Sequence, residues 1–267
     1  MNRLAPLLFQ PTLTPSGLAC FGLGLREARP CPALREIVHS YLQIDAQDSA
    51  LYPVIPDGTQ SVFLSPNIAR LGGAQTAARV LRLPQAGEYF GIRFMPGGLR
   101  HFLVLDLTEI TDAYVAEGDV PDRGFADLRH AIYRYGSFHE RAAACDTWLL
   151  NRFVLRPDVQ LDHALTLIER MRGGIRVGQL AAIVGRSERH LNRLFRRHTG
   201  LNIKAFIDTT RLQHVSQRLH AQPGAVLDTA HDLGYCDQAH LLNDFRKYTW
   251  STPRTFFARF MSDSYKP

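Results

Sequence analysis

Residues 177–206 read VGQLAAIVGRSERHLNRLFRRHTGLNIKAF, and this stretch decides the fold of the C-terminal part of the chain. It begins as a short apolar helix, turns at Gly185, and continues as a second helix with basic residues on one side. The same unit returns at 226–256 as VLDTAHDLGYCDQAHLLNDFRKYTWSTPRTF. Gly185 recurs 49 residues later as Gly234, whereas the aromatic residues that follow recur after 50 residues, so the second copy holds one extra residue in its turn.

Both copies contain the residue types that two helices joined by a tight turn require. A glycine after the first helix permits a left-handed turn. Ser187 and Asp237 precede the second helices, where a short polar side chain accepts a hydrogen bond from the first turn. The apolar pack between the helices is expected from Leu180, Ile183, Leu191, Leu194 and Phe195 in the first copy and from Ala230, Leu233, Leu241 and Phe245 in the second. Two such units in a basic region are typical of proteins that place recognition helices in the major groove of DNA.

The outward residues of each second helix are the expected DNA contacts. Arginine can pair with guanine and asparagine with adenine through two hydrogen bonds each, and an apolar side chain can touch the thymine methyl group. The candidates for base contacts are Arg189, Asn192, Arg193, Gln238, Leu242 and Asn243. The candidates for phosphate contacts are Arg196, Arg197, Arg246 and Lys247.

The positive charge of the chain is concentrated where the repeated unit lies. The net charge is +6 over 267 residues. Residues 1–159 contain 15 Lys and Arg against 16 Asp and Glu, whereas residues 160–267 contain 16 against 9. This asymmetry predicts that the C-terminal region binds a polyanion and that the front region does not.

The front region is expected to be rich in strands. Strands are predicted over 61–64, 78–84 and 88–98, the last of them ended by a Pro-Gly-Gly turn. Residues 31–44 have apolar residues at helical spacing, although a strand near their end is an alternative, and 109–155 is predicted to be helical. Helices are expected throughout the C-terminal region, including a long one over 203–220 between the two units. The segment 155–159, LRPDV, is the expected linker because Pro157 blocks a helix.

The remaining residues favour neither an enzyme nor a metal site. The chain has four cysteines, Cys20, Cys31, Cys145 and Cys236, without the spacing of a metal or redox motif, and its histidines lack metal-motif spacing as well. No catalytic residues, cofactor or metal are therefore predicted. The start of the chain has too short an apolar run for a secretory signal, and no apolar stretch is long enough to span a bilayer. We expect a cytoplasmic protein with no membrane partner.

The C-terminal region resembles the DNA-binding domain of the AraC/XylS family of bacterial transcription regulators. The stretch LAAIVGRSERHLNRLFRRHTGLNIKAFI is similar to the first motif of that family, and AHDLGYCDQAHLLNDFRKYTWSTPRTF is similar to the second. The resemblance implies seven helices and insertion of two recognition helices into successive major grooves, about one DNA turn apart. It also implies double-stranded promoter DNA and RNA polymerase as partners.

The second motif departs from the family pattern at three positions. The family often has a basic residue at the place of Asn243, a small residue at the place of Asp244, and Gly or Phe at the place of Trp250. The second recognition helix is therefore less basic than the pattern, and we expect it to contact mainly the DNA backbone or a permissive half-site. Trp250 is expected to pack within the motif.

The front region resembles an uncharacterised domain found before such DNA-binding domains, through VIPDGTQSVFLSP, GIRFMPGGLRHFL and DLTEITDAYV. The resemblance implies a small β-barrel or cupin-like fold followed by helices, which senses a ligand, dimerises, or does both. Arg93 is the best candidate to bind an acidic effector at a mouth shaped by the turn at Asp57. The alternative is that Arg93 pairs with a carboxylate such as Asp57.

Together these observations predict an α+β protein of two domains. A β-rich regulatory domain spans 1–155, and an all-α domain spans 160–267, with helix-turn-helix motifs at 177–199 and 226–249. We expect a sequence-specific transcription regulator, associated with the nucleoid, whose front domain responds to a small-molecule effector or forms a homodimer. Control by a protein partner, without a ligand, is the alternative. A fused methyl-accepting DNA-repair regulator is excluded, because Cys20 and Cys31 lack the neighbouring Cys and His that such chemistry needs.

Overall fold

A computed structural model describes residues 8–120 and 124–258 of the chain. The described strands are β1 (Leu23–Ala28), β2 (Val38–Ala46), β3 (Ala50–Val54), β4 (Gln60–Leu64), β5 (Ala69–Gly72), β6 (Arg79–Leu83), β7 (Gly87–Phe94) and β8 (Tyr114–Ala116). The helices of the front region are α1 (Pro15–Ala19), α2 (Gly124–Ile132) and α3 (Phe138–Arg152). The predicted strands thus appear, whereas 109–155, predicted to be helical, also contains β8. Most of the N-terminal stretch considered for a signal lies outside the described residues.

Seven helices follow within the described residues, as the resemblance implied. They are α4 (Val159–Arg170), α5 (Val177–Val184), α6 (Glu188–Thr199), α7 (Ile203–Ala221), α8 (Val226–Asp232), α9 (Gln238–Thr249) and α10 (Pro253–Ala258). The long helix α7 separates the two repeated units, as expected. None of the helices in the described part of the chain combines the length and the apolar character needed to cross a membrane.

The front region is built on a six-stranded antiparallel sheet in the order β1-β2-β7-β4-β5-β8. One face, which bears Tyr41 and Phe90, packs against α2 and α3 through a core that includes Leu128 and Leu149. A two-stranded ribbon of β3 and β6 covers the opposite face at one end of the sheet, where Ile44 meets residues of the ribbon. The layers are therefore helix, sheet and ribbon.

The α+β class is confirmed, but the front region is not a closed barrel. Among the described residues, the strands at the two ends of the large sheet, β1 and β8, each pair with one neighbour. The ribbon pairs within itself and packs over the sheet without joining it.

The helix predicted over 31–44 is wrong, and the strand named as its alternative is present. A 3-10 turn at Pro32–Leu34 is followed by β2, which lies between β1 and β7. A strand covered on both faces buries nearly every residue, so its apolar residues lose the alternating pattern. The burial of Tyr41, Leu42, Gln43 and Ile44 in succession shows this, and such a run also satisfies helical spacing.

The helical region contains two cores that α7 connects. One core surrounds Leu191 and Phe195 of the first motif, and the other surrounds Leu241 and Phe245 of the second. Residues of the front region complete both: Ala74 enters the first core, whereas Ile55 and Ala78 enter the second. The two regions therefore share their interiors.

The segment predicted as a linker, 155–159, lies against the front region. The Arg100 side chain donates to the Arg156 carbonyl oxygen at 3.0 Å, and the Arg156 side chain donates to the Arg100 carbonyl oxygen at 2.7 Å. Arg100 also forms a 2.6 Å ion pair with Asp162 at the start of α4. A segment held by these contacts transmits the position of the front region to α4 and does not act as a free hinge.

Candidate nucleic-acid interface

The first candidate recognition helix, α6, begins after a left-handed turn and a serine cap. The preceding helix ends at Gly185, whose φ of +69° is open to glycine and unfavourable for other residues. The Ser187 hydroxyl then accepts a hydrogen bond from the His190 N–H at 3.2 Å. The turn and the cap predicted from the sequence are both confirmed.

The second candidate recognition helix, α9, begins in the same way. Gly234 has a φ of +73°, and the Asp237 carboxylate accepts a hydrogen bond from the His240 N–H at 2.7 Å. A carboxylate at a helix N-terminus also interacts favourably with the helix dipole. The cap predicted at Asp237 is confirmed.

The packing between the helices agrees with the sequence prediction except at one position. All the predicted apolar residues of the second motif are buried, as are Leu180, Leu191 and Phe195 of the first. Ile183 was predicted to pack there, but 56% of it is exposed. It follows the buried Ala181 by two residues and therefore lies about 200° around the helix.

The outer side of α6 is strongly basic. Arg189, Arg193, Arg196 and Arg197 are all exposed on it. Arg193 lies 3.3 Å from the His190 ring, measured from Nη2 to Nδ1, which orients its guanidinium along the helix. These positions give α6 four cations within three turns, and Arg189 and Arg193 lie in its N-terminal half.

Asn192, also predicted to read a base, has a structural hydrogen bond. Its Oδ1 accepts from the Ile203 N–H at 3.1 Å and so helps to cap α7. A bidentate contact with adenine needs that oxygen. In base reading by Asn192, this oxygen would therefore be shared between the base and the cap of α7.

The outer side of α9 is less basic. Gln238, Asn243, Arg246 and Lys247 are exposed, but the two cations lie in its last turn. Leu242 is half-buried against the second core, which limits its reach towards a thymine methyl group. The two helices thus present different chemistry to a duplex.

Two departures of the second motif from the family pattern have different structural consequences. Asp244 accepts a hydrogen bond from the Tyr235 hydroxyl at 2.9 Å, so it braces the motif from within. Trp250 was predicted to pack, but 66% of it is exposed. It takes the left-handed backbone, with φ of +56°, at the end of α9, where the first motif has Gly200.

The C-terminal ends of both recognition helices are bound to the front region. The Gln60 side chain donates to the Thr199 carbonyl oxygen at 2.9 Å, and the Thr111 hydroxyl donates to that of Gly200 at 2.7 Å. The Ala78 N–H donates to the Tyr248 carbonyl oxygen at 2.6 Å. The front region therefore holds both helices at their C-terminal ends.

Residues 104–111 of the front region form one wall of an open groove beside α6, with a volume of about 1460 Å³. Arg193 and Arg197 line the other side of this groove. Hydrogen bonds from Thr108 lower the pKa of Asp106, and the charge of Arg197 acts in the same direction. An ionised carboxylate near Arg197 competes with DNA phosphate for that cation.

A second candidate site is a cavity of about 70 Å³ between the sheet and the ribbon. Arg93 and Asp57, the two residues predicted to bind an effector, both line it and form a buried ion pair at 2.7 Å. Burial raises the pKa of Asp57, but Arg93 and hydrogen bonds from Gln10 and Thr59 outweigh it and hold that pKa below its ordinary value. Arg93 is therefore paired with Asp57, the alternative stated above, and its charge is already neutralised.

The wall of this cavity also touches the helical region. The Gln213 side chain of α7 donates to the Pro56 carbonyl oxygen at 2.6 Å. A Cβ atom added to Gly58 would lie 3.0 Å from the Phe206 ring of α7. A displacement of the turn that contains Asp57 would therefore also displace α7, the helix between the two motifs.

These contacts between the regions could not be read from the sequence. Gln60, Thr111 and Gln213 carry them, and each is a polar residue in a segment without a motif. Gln60 and Gln213 differ from most glutamines in being buried, and this burial is seen only in the folded chain.

Comparisons with known proteins agree with this geometry. Residues 180–259 match a family described as "Helix-turn-helix domain". Residues 26–116 match a family described as "Domain of unknown function (DUF6597)".

The chain is similar to the "HTH-type transcriptional regulator GlxA" of Rhizobium meliloti (strain 1021), with 31% identity over 144 residues, which cover 53% of this chain and 36% of the relative. It is also similar to the "Uncharacterized HTH-type transcriptional regulator SAS0078" of Staphylococcus aureus (strain MSSA476), with 26% identity over 111 residues, which cover 41% of this chain and 15% of the relative. The chain thus spans about a third or less of the length of these relatives. Among solved structures, unsaturated fatty acid bound wild-type ToxT from Vibrio cholerae strain SCE256 gives a TM-score of 0.44 at 8% identity and covers 91% of this chain and 97% of that one.

Proposed function

Because residues 180–259 form a helix-turn-helix domain of the AraC type, we propose that the protein is a sequence-specific DNA-binding transcription regulator. One observation carries the proposal: both motifs present an exposed, correctly capped recognition helix, while α7 and the front region hold the two helices together. Two helices in a fixed relation can enter successive major grooves of one duplex.

The roles of individual side chains follow from their place on the two helices. Arg189 and Arg193 read bases at the groove-facing end of α6, and Gln238 and Asn243 make weaker contacts from α9. Phosphate contacts come from Arg196, Arg197, Arg246 and Lys247. Asn192 and Leu242 stay candidates for base contacts, each restrained by the packing described above.

The front region controls this activity in our proposal. We divide the chain into a regulatory domain, 1–155, and a DNA-binding domain, 160–267, joined through the pinned segment 155–159. The shared cores and the contacts of Gln60, Gln213 and Ala78 support control through a change in how the two domains sit together.

The size of the cavity between the sheet and the ribbon limits which molecules could act as the signal. Its volume of about 70 Å³ is roughly half that of an engineered cavity, ~150 Å³, that holds benzene. The cavity therefore suits a very small, uncharged molecule bound beside the neutral pair of Arg93 and Asp57. It also favours the second candidate, in which a protein partner rather than a ligand in this cavity controls the regulator.

The further partners follow from the proposed function. We propose RNA polymerase as the protein partner at the promoter, a homodimer as the functional assembly, and the cytoplasm, at the nucleoid, as the location. The curated relatives that match are transcription regulators, and we propose no enzymatic activity and no cofactor for this chain.

The test is selection of bound duplexes from a pool of random sequence. We expect enrichment of a bipartite site with two short blocks about 10 base pairs apart. The double variant Arg189→Ala, Arg193→Ala should select the block read by α9 and lose the other. Binding of the pool without enrichment of any sequence would show a non-specific DNA-binding protein and contradict the proposal.

A further inference from the structure

Trp250 combines three properties that packing does not explain. It is a bulky residue with φ of +56°, a backbone that favours glycine, and 66% of it is exposed. The equivalent residue of the first motif is Gly200, with φ of +78°. Strained and exposed aromatic residues concentrate at sites that bind something.

Three arginines lie beside Trp250 in one groove. Arg79 and Arg82 come from β6, where they lie on opposite faces of the strand, and Arg70 comes from β5. Arg70 and Arg82 are exposed and Arg79 is half-buried. Within residues 8–120 and 124–258, none of the three has a carboxylate partner. Among the described residues, therefore, no carboxylate compensates the positive charge of this groove.

The size and the walls of this groove suit a small molecule. Its volume is about 390 Å³, which falls in the range of roughly 300–1,000 Å³ typical of ligand sites. Phe63 and Tyr114 line it together with Trp250, so aromatic rings face the arginines. Burial raises the pKa of Tyr114 to about 12, and its hydroxyl accepts a hydrogen bond from Gln75 at 3.2 Å, so Tyr114 stays a neutral part of the wall.

The groove differs in its free charge from the neighbouring cavity between the sheet and the ribbon. Tyr52, Phe63 and Tyr114 line both spaces and form the partition between them. In the cavity, Arg93 is neutralised by Asp57, whereas the arginines of the groove form no ion pair with any residue that the structure describes. The positive charge available to an anionic molecule therefore lies in the groove and not in the cavity.

We propose that this groove binds a small organic anion with a flat aromatic ring, whose carboxylate or phosphate pairs with Arg79 and Arg70 and whose ring stacks on Trp250. Guanidinium groups pair with such anions through two parallel hydrogen bonds. An exposed tryptophan supplies the stacking surface at little cost in side-chain entropy.

The location gives the ligand a route to the second recognition helix. The Trp250 N–H donates to the Arg246 carbonyl oxygen at 2.8 Å and so closes α9, and the Tyr248 carbonyl oxygen is bound to Ala78 just before β6. A ligand that bridges β6 and Trp250 fastens α9 to the front region. This regulatory consequence rests on the proposed function, whereas binding of the anion does not.

The binding test uses benzoate and phenyl phosphate as probes and benzyl alcohol as the uncharged control. In a Trp148→Phe background Trp250 is the remaining tryptophan, since the chain contains two. We expect saturable calorimetric binding of at least one anion, with a matching change in Trp250 fluorescence, and no binding of benzyl alcohol. Absence of saturable binding of both anions up to 20 mM would overturn the proposal.

Variants separate binding from folding. Arg70→Gln with Arg79→Gln should weaken binding of the anion by about tenfold or more, because each charge-assisted hydrogen bond contributes strongly. Arg134→Gln, an exposed arginine outside the groove, should leave the affinity unchanged. Trp250→Gly relieves the left-handed backbone, so it should fold at least as stably and still lose the anion. A Trp250→Gly protein that binds the probes with unchanged affinity would contradict the stacking.

The same variants, measured on DNA without the probes, distinguish this inference from the proposed function. We expect Arg70→Gln with Arg79→Gln to leave DNA affinity and its salt dependence unchanged. A loss of DNA affinity together with a salt slope lower by about 2 would assign these arginines to the DNA backbone and overturn the small-anion site. Sequence-specific DNA binding with no anion binding would retain the regulator and retire the site.

Discussion

The two helix-turn-helix motifs share a plan and differ in what they present to DNA. Both close the turn with a left-handed glycine and cap the second helix with a short polar residue. The first recognition helix exposes four arginines along its length, whereas the second exposes its cations in the last turn. The residues that close and cap each motif are therefore alike in both copies, whereas the exposed side chains of the two second helices differ.

The C-terminal ends of the motifs differ in a second way. The first motif ends at Gly200, which packs closely against Thr111 of the front region. The second ends at Trp250, exposed beside a groove lined by arginines. The first motif is thus fastened by close packing, while the second has room for a bound molecule.

The largest expected effect tests the shared plan. Phe195→Ala and Phe245→Ala remove equivalent aromatic residues that are both fully buried, so each should lower the free energy of unfolding by about 3–5 kcal/mol. Ile183→Ala, at an exposed site, should change it by less than about 1 kcal/mol. Urea unfolding of the purified variants measures all three. A small cost at one phenylalanine and a large cost at the other would mean that the two cores are not equivalent.

The next effect tests the difference in base reading. Arg193→Ala should lower the affinity for the selected site by about 1–3 kcal/mol and relax the preference at one base pair. Asn243→Ala should cost less than about 1 kcal/mol, because we expect α9 to read few bases. Fluorescence anisotropy with the selected duplex and with its single-base variants gives both values. The reverse ranking would assign the reading to the second motif.

The two left-handed ends should respond in opposite directions. Trp250→Gly should raise the free energy of unfolding by roughly 1 kcal/mol, since glycine adopts this backbone without strain. Gly200→Ala should lower it by at least about 1 kcal/mol, because its Cβ would lie 2.9 Å from the Thr111 hydroxyl in a left-handed backbone. Thermal unfolding followed by circular dichroism compares the pair. A loss of stability in Trp250→Gly would show that the exposed ring packs after all.

A phosphate contact from the second motif should have a small and uniform effect. Arg246→Ala should weaken binding to the selected site and to random DNA by the same factor, and should reduce the salt slope by about 1. The exposed Arg134, replaced by Ala, serves as the control of equal charge. A loss confined to one sequence would move Arg246 into the base-reading set.

The smallest expected effect is a difference between the two motifs in how stability depends on pH. Burial lowers the pKa of His198, and the charge of Arg100 acts in the same direction. The unfolded chain therefore takes up a proton at a higher pH than the folded protein, so stability falls as the pH drops below about 6.5. His198→Tyr copies Tyr248, its counterpart in the second motif, and should flatten this part of the stability curve. An unchanged curve between pH 7 and 5 would remove His198 as a cause.

Much of the helical region could be predicted from the sequence, because its signals are local. Gly185, Ser187 and Asp237 act within one turn of themselves, and the spacing of apolar residues marks the buried side of each helix. The front region was harder, since β2 is buried on both faces and its pattern fits a helix as well. The alternation of shorter strands, such as β4, was read correctly.

The site was predicted in its residue types and less well in its contacts. The exposed arginines of α6 follow from helical periodicity. The hydrogen bond of Asn192 to Ile203, the pairing of Arg93 with Asp57 and the exposure of Trp250 depend on which segments meet in the folded chain. Such meetings between distant segments leave no periodic trace in a sequence.

The most direct measurement of unequal reading by two linked motifs is a base-by-base affinity map of the selected site. Each base pair is replaced in turn, and the affinity is measured at one fixed salt concentration. We expect losses of about 1–3 kcal/mol per base pair in one half-site and smaller losses in a second half-site about one turn away. Equal losses in both halves, or a single uninterrupted block of sensitive positions, would contradict the difference between the two motifs.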